Sequence, residues 1–526
     1  MCMKRSVLTL AAAILALAQP LSAQTLPTSD SVLERMWQLG MEESQTYRLA
    51  QVLLDSLGPR LTGTPAQKAA QDWLVATYGD WDIDARNEQY GTWLGWERGI
   101  THIDLVAPRV RTLEGTLLAW SAGSGGKVRG GTVVLPDVAD SAQFNNWLSQ
   151  VEDKFVLLSV HEPTCRPDGD WAENAVPASF EAMQTARDAA REAWEGRLER
   201  TGVEEDDLPH VLEEAGAAGV IFGTAPLGWG VMRVFASYTE KAPALQLSCE
   251  DYGLLYRLTE HGQGAVLEVE AEAEFLGEVP LFNTIAEIRG SEKPNEYIVL
   301  SAHFDSWDGA AGATDNGTGT LTILEAMRIL KAAYPNPKRT IIAGHWNSEE
   351  QGLNGARAFV ADHPEVVEGL QALYNQDNGT GRVTRISMQG LTQAGEYFAR
   401  WLSQLPQEIS QHIDLMMPGV PGGSGSDYAA FVCAGAPSFF PLAHRWSYFP
   451  YTWHTNRDTF DKIVFDDLKN NATLFAMLSY LASEEEELMP RDQRVLPVSQ
   501  PTGEQMTWPQ CRDGRRSWEE YRNRNR

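Results

Sequence analysis

Three patterns predict an α/β fold in which an open sheet is flanked by helices and interrupted by a β-rich segment. Short apolar runs, Tyr297 to Ala302 and Thr340 to Trp346, read as buried strands, and each ends in polar, chemistry-bearing residues. Between them, "TGTLTILEAMRILKAAYP" sets Leu321, Leu324, Met327 and Leu330 near one helical face, with Pro335 as a stop. From about Ala122 to Glu270, short β runs alternate with Gly and Pro turns. The chain has 526 residues, too many for one ordinary core, so two domains plus tails are expected.

In chain order, Met1 to Ala23 reads as a secretory signal. Lys4 and Arg5 form a charged start, "SVLTLAAAILALA" is the short apolar middle, and "PLSA" precedes a cut at Gln24. The expected location is therefore secreted or periplasmic, the alternative being a retained amino-terminal anchor. No later run is long and apolar enough to span a bilayer. Residues 24–121 open with helix-like text, including "PAQKAAQDWLVATYG", and pass to strand-like "ITHIDLVAP". Residues 122–270 carry "GGTVVLPD", "DKFVLLSV", "AGAAGVIFGT" and "APALQLSCEDYGLLYRL", with one helix-like span from Pro177 to Leu198. His161, His210 and His261 stand apart there and read as surface residues, so this segment has no metal or nucleophile constellation of its own. An insertion of this kind is cheap where a surface loop has neighbouring ends.

Residues 271–488 resume the sheet and its helices. "GGSGSDYAAFVCAGAPSFF" is a glycine-rich loop before a buried strand, and "RWSYFPYTWH" brings Trp446, Tyr448, Phe449, Tyr451 and Trp453 up to His454. Aromatics this dense suit a substrate side-chain pocket, the alternative for most of them being core and loop packing. "FDDLKNNATLFAMLSYLASEEEEL" reads as a closing amphipathic helix. The tail, 489–526, is expected to lie extended over the surface. Its basic end, "CRDGRRSWEEYRNRNR", is expected to be flexible and solvated, with a clamp onto the acidic body as the alternative.

The formal charge is −28, and loss of Lys4 and Arg5 with the signal makes it two units more negative. That argues against nucleic acid, whose phosphates demand a basic face. Cys165, Cys249, Cys433 and Cys511 remain after cleavage, and three pairings are open in an oxidising compartment. None sits in a CxxC arrangement, so a thiolate zinc site is not expected.

Five metal-type ligands stand out, His303, Asp315, Glu350, Asp377 and His454, the first four in segments that read as strand ends or the loops just after them. In open α/β sheets, ligands gather in the crevice outside the carboxyl ends of the strands. Imidazole nitrogen and carboxylate oxygen suit zinc, and clustered carboxylates would repel one another without a cation. Asp315, in the Gly-rich "GAAGATDNGTGT", is placed to share its two oxygens between two metals. The expected allocation puts His303 and Asp377 on one, Glu350 and His454 on the other. Glu349 is then free to act as general base, and Asp305 to fix the His303 tautomer. Gly317 and Gly319 permit the tight passage from this loop into the next helix. His345, inside a strand, and His444, outside these motifs, are poorer ligand candidates.

The ordered text "HFDSW…GATDNGTG…NSEEQGLNGARAF…YNQDNGTG…WHTNRDTFDKI" resembles the co-catalytic di-zinc exopeptidase family of bacterial leucyl aminopeptidases, aminopeptidase Y and carboxypeptidase Q. "GPRLTGTPAQKAAQDWL" resembles that family's opening. The resemblance implies its three-layer fold, a mixed, mostly parallel sheet between helices. It implies two zinc ions on the positions matching His303, Asp315, Glu350, Asp377 and His454, and a base at Glu349. It also implies a cis peptide after Asp315. "VEDKFVLLSV" and "LEEAGAAGVIFG" resemble the protease-associated domain, a β-rich module inserted in such peptidases, which would shape access to the cleft. The Gly-Ser-Asp loop resembles the family's, although Tyr428 stands where relatives often carry His, and Asp427 is expected either to hold the loop or to touch substrate. Asn316 and Asn378 open Asn-Gly-Thr sequons, but both abut proposed ligands, so no sugar is expected there.

The implied activity is hydrolysis of a terminal peptide bond, as an aminopeptidase or a carboxypeptidase Q-like dipeptidase; "HFDSWDGAAGATDNG" and the inserted module resemble the carboxypeptidase Q branch. Arg382, Arg445 and Arg457 are the cations in the matched region available for a substrate carboxylate. A peptide or dipeptide is the expected partner, with no nucleic acid and no stable membrane insertion, and a homodimer is one open arrangement. The alternatives are a catalytically inactive receptor-like relative, which would have lost ligands, and a single-zinc glutaminyl cyclase, which would not need the full set.

Overall fold

The computed structural model describes residues 29–524; the signal segment Met1 to Ala23 lies outside them. Apolar alternation builds the central sheet. In the strand Lys293–His303, Ile298, Leu300 and Ala302 enter one core while Tyr297 and Val299 enter another, as the two-residue strand period requires. Both faces are therefore covered. On one face lie the helices Thr318–Ala333 and Phe465–Glu484 with the amino-terminal helices; on the other lie Asn354–Asp362 and Tyr428–Val432.

Four strands run parallel in the order Ser438–Phe439, Leu370–Asn375, Lys293–His303, Arg339–Trp346. Antiparallel to the last runs Val266–Ile288, which pairs along its length with Asp84–Ala107 as a long two-stranded ribbon. The start of Val266–Ile288 also pairs with Val128–Val134. From there Lys154–Leu157, Gly219–Gly223 and Ala244–Leu247 follow in parallel, and Gly115–Leu117 closes the edge antiparallel. The sheet is thus mixed, and the ribbon joins the β-rich segment to the rest. The Asp315–Asn316 peptide is cis. The disulfides are Cys165–Cys249 and Cys433–Cys511. Among the described residues no helix is long and apolar enough to cross a membrane.

The carboxyl-terminal end departs from the flexible tail expected of its composition. Cys511 is bonded to Cys433, the Trp508 indole donates to the Val432 carbonyl at 2.8 Å, and Arg516 pairs with Asp362 at 2.7 Å. The Thr92 amide of the ribbon donates to the Arg516 carbonyl at 2.8 Å. Trp518 and Tyr521 pack against Trp93, with ring centroids 5.4 and 5.1 Å away. The segment is a strap fixed by aromatic burial, and the basic residues among those anchors had suggested a solvated end.

Candidate metal centre

The strand register delivers the site. His303 is the last residue of its strand; Glu349 and Glu350 follow the end of Arg339–Trp346, and Asp377 follows the end of Leu370–Asn375. All four therefore open at one end of the parallel strands, where the crevice was expected. Asp315 enters from the loop before Thr318–Ala333. That loop approaches the Asp377 segment closely: the Asn316 side-chain amide donates to the Gln376 carbonyl at 2.8 Å. A Cβ at Gly319 would lie 2.4 Å from the same carbonyl oxygen, so only glycine allows this approach.

Two overlapping groups result, His303 with Asp315 and Asp377, and Asp315 with Glu350 and His454. His303 Nε2 lies 3.3 Å from Asp377 Oδ1 and 3.5 Å from Asp315 Oδ1. His454 Nε2 lies 2.9 Å from Glu350 Oε2 and 3.2 Å from Asp315 Oδ2. The two oxygens of Asp315 thus face different groups. In each group the ligand atoms lie within 4.8 Å of one another. Among the described residues, buried Glu350 Oε1 has no hydrogen-bond partner. Nitrogen and oxygen donors around a buried carboxylate oxygen without a hydrogen-bond partner fit divalent zinc.

Electrostatics agree with that fit. Burial by itself would lower the His303 pKa, but the Asp377 and Glu349 charges push it well above the usual imidazole value. Burial likewise opposes a charged His454, yet Glu350 and Asp315 raise its pKa to about 10. Burial raises Glu350 to about 7 and raises Glu349 well above the usual carboxyl range. Without a cation, the cluster holds protons that a metal would displace.

Around the ligands the structure adds residues whose roles the sequence did not reveal. Asp458 accepts from the Thr314 and Asp315 amides at 2.8 and 2.9 Å and so fixes the Asp315 loop. Fully buried Arg60 donates to the carbonyls of Phe304, Ala311 and Gly312, clamping the loops after His303 and before Asp315. Both lie inside family-like sequence, "WHTNRDTFDKI" and "GPRLTGT", and that is their only signal in the chain. Asp305 behaves differently from expectation. Its main-chain oxygen, 3.0 Å from His303 Nδ1, is what sets the tautomer, whereas its carboxylate is 3.8 Å from that nitrogen. The carboxylate instead accepts from the Glu349 and Glu350 amides at 3.1 and 3.2 Å.

His454 comes from the aromatic loop and has φ of +57°, a left-handed conformation uncommon for a non-glycine residue. The β-rich segment holds it there. The Val234 amide donates to the His454 carbonyl at 2.7 Å, and the Phe235 ring meets the imidazole edge-on at 5.1 Å. Tyr448, Phe449 and Trp453 line a cleft of about 750 Å³ with the five ligands and Glu349. Trp446 and Tyr451 face a smaller neighbouring cavity instead. Of the three arginines named from sequence, Arg445 lines the cleft. Arg382 is paired with Asp467, and Arg457 with Glu114. Tyr428 is stacked on Phe440 at 4.7 Å, and buried His345 bonds to the Tyr78 hydroxyl at 2.8 Å, so both are structural. Asp427 is fully buried and does not line the cleft.

Comparison with known proteins converges on one family. Residues 283–479 match peptidase family M28. Carboxypeptidase Q from Homo sapiens is 24% identical over 453 residues, covering 86% of this chain and 88% of the relative. Leucine aminopeptidase 1 from Coccidioides posadasii is 31% identical over 221 residues, covering 38% of this chain and 55% of the relative. The fold is that of a peptidase M28 precursor from Shewanella amazonensis, with TM-score 0.62 and 23% identity over 88% of this chain and 98% of that one. A zinc aminopeptidase from Bacillus subtilis shares it at TM-score 0.52 and 18% identity, over 83% and 93% of the two chains. The stretch that matches peptidase family M28, residues 283–479, carries the whole cluster of candidate ligands, and the chain as a whole is similar to carboxypeptidase Q and shares its fold with bacterial peptidases.

Proposed function

We propose that this chain is a secreted or periplasmic exopeptidase that hydrolyses the terminal bond of short peptides or dipeptides through two zinc ions, with Glu349 as general base. The observation that carries the reading is Asp315, whose two oxygens face the two ligand groups while Glu349 lines the same cleft. Zinc ions held by His303, Asp315, Asp377, Glu350 and His454 would polarise the scissile carbonyl and make an attacking water more acidic. Glu349 accepts the proton of that water and returns it to the departing amine. Asp305 is a positioning residue, because its carboxylate holds the amides of the base and of the adjacent ligand. Residues 122–270 are a protease-associated-like insert that shapes the cleft, a role supported by the contacts of Val234 and Phe235 with His454.

Likeness to carboxypeptidase Q over 86% of the chain supports the dipeptidase branch. The test compares an amino-terminally blocked dipeptide with its free form, alongside zinc analysis. About two zinc per chain with cleavage only of the free form supports attack at a free amino terminus, and cleavage of the blocked form supports the carboxypeptidase direction. One zinc per chain without hydrolysis would favour a cyclase, and none an inactive binding relative.

A further inference from the structure

The cleft has a cationic wall that the metal chemistry leaves unused. Arg357, on the helix Asn354–Asp362, lines the cleft together with His303, Glu349 and His454. Its Nη1 donates to the Gly352 carbonyl at 2.9 Å, which fixes the guanidinium beside the loop that carries the base. Among the described residues Arg357 forms no ion pair. That is unexpected in a chain with 71 acidic and 43 basic residues, because a half-buried cation without an anion is costly.

The strap reinforces the positive charge at this point. A Cβ at Gly514 would fall 2.6 Å from the Asn354 carbonyl oxygen and 3.1 Å from Arg357 Cβ, so the strap lies directly on this helix. The Arg515 amide donates to Asn354 Oδ1 at 3.0 Å, and its guanidinium donates to the Gln351 carbonyl at 3.2 Å. Burial first, then the charges of Arg512 and Arg515, lower the Arg357 pKa, while Asp427 and Glu349 oppose them. Arg385 and Arg445 also line the cleft, but both are exposed, where solvent and salt screen them. The cleft volume of about 750 Å³ suits a short peptide.

We propose that Arg357, braced by the strap, is the subsite for the free α-carboxylate of a short peptide, so that the preferred substrates are dipeptides and similarly short peptides with an unblocked carboxyl end. This rests on the exopeptidase reading and assigns the far end of its substrate.

The test measures kcat/KM of the zinc-loaded full chain for a dipeptide with both ends free and for the same dipeptide as its carboxyl-terminal amide. The free acid is expected to be favoured roughly 10- to 100-fold, the range of a hydrogen bond to a charged group. Arg357→Gln should bring the ratio close to one, and Arg357→Lys should leave an intermediate ratio, with zinc content unchanged in both. Equal cleavage of acid and amide by the wild type overturns the subsite while leaving the exopeptidase reading intact. So does a ratio that survives Arg357→Gln but collapses in Arg385→Gln or Arg445→Gln. Failure to cleave either form overturns the exopeptidase reading and the subsite with it. Should Arg357→Gln not fold, inhibition of the wild type by a free amino acid against its amide decides, equal potency overturning the subsite.

Discussion

On the proposed reading, Asp315 and Glu349 separate binding of metal from use of it. Because the two oxygens of Asp315 face both groups, Asp315→Ala should lower zinc content at both positions, measured by metal analysis of purified protein. Retention of two zinc per chain would contradict the bridge. Glu349 belongs to neither ligand group, so Glu349→Ala should keep its zinc and lose turnover by about 10²- to 10⁴-fold, the usual worth of a positioned base. An active variant would remove the base assignment. The residue types of this site were legible because several imidazoles and carboxylates occur together, most of them at strand ends, whereas each alone reads as an ordinary structural residue. Arg60 and Asp458 were not, since their partners are main-chain atoms of Phe304, Gly312, Thr314 and Asp315, and no spacing shows where a carbonyl or amide will point.

Two elements far away in sequence support the ligand loops. The segment around Phe235 reaches from the β-rich insert to the His454 ring. Phe235→Ala should therefore weaken zinc retention about tenfold in a chelator competition, the scale of losses around metal ligands, without removing a ligand atom. Unchanged retention would confine Phe235 to surface packing. The strap is tied by Cys433–Cys511, a loop of 78 residues in sequence separation. Opening it by Cys433→Ser should cost about 2 to 4 kcal/mol in denaturant unfolding, on the chain-entropy account of long loops. The helix Thr318–Ala333 shows how far periodicity reaches. Leu321, Leu324, Met327 and Leu330 are all buried, but so is every residue from Thr318 to Leu330, so the helix is enclosed on all sides and not along one face. The burial of Glu325 and Arg328 was not legible, because it depends on their mutual 2.7 Å pair and on the amino-terminal helices that cover them.

At the scale of the whole molecule, proton and metal occupancy oppose each other. Burial raises Glu350 to about 7, and burial with the Asp315 charge raises Asp458 to about 7. Their protonated forms favour the folded, metal-free protein, a contribution fully present below the unfolded carboxyl pKa and lost as pH rises through 7. Zinc binding has the opposite sign, since it displaces protons from His303 and His454 and strengthens as pH rises. The difference in Tm between zinc-loaded and chelated protein should therefore widen from pH 5 to pH 8, and a constant difference would refute this linkage. The alternation of apolar residues, the helix after Asp315 and the candidate ligands His303, Asp315, Glu350, Asp377 and His454 were legible in sequence, because strand and helix periods and ligand chemistry are local properties. Which arginines line the cleft, the anchoring of the strap and the hold of the insert on His454 were decided only by tertiary structure. Each depends on surfaces that meet across tens to hundreds of residues, and composition records what a side chain is without recording what it is folded against.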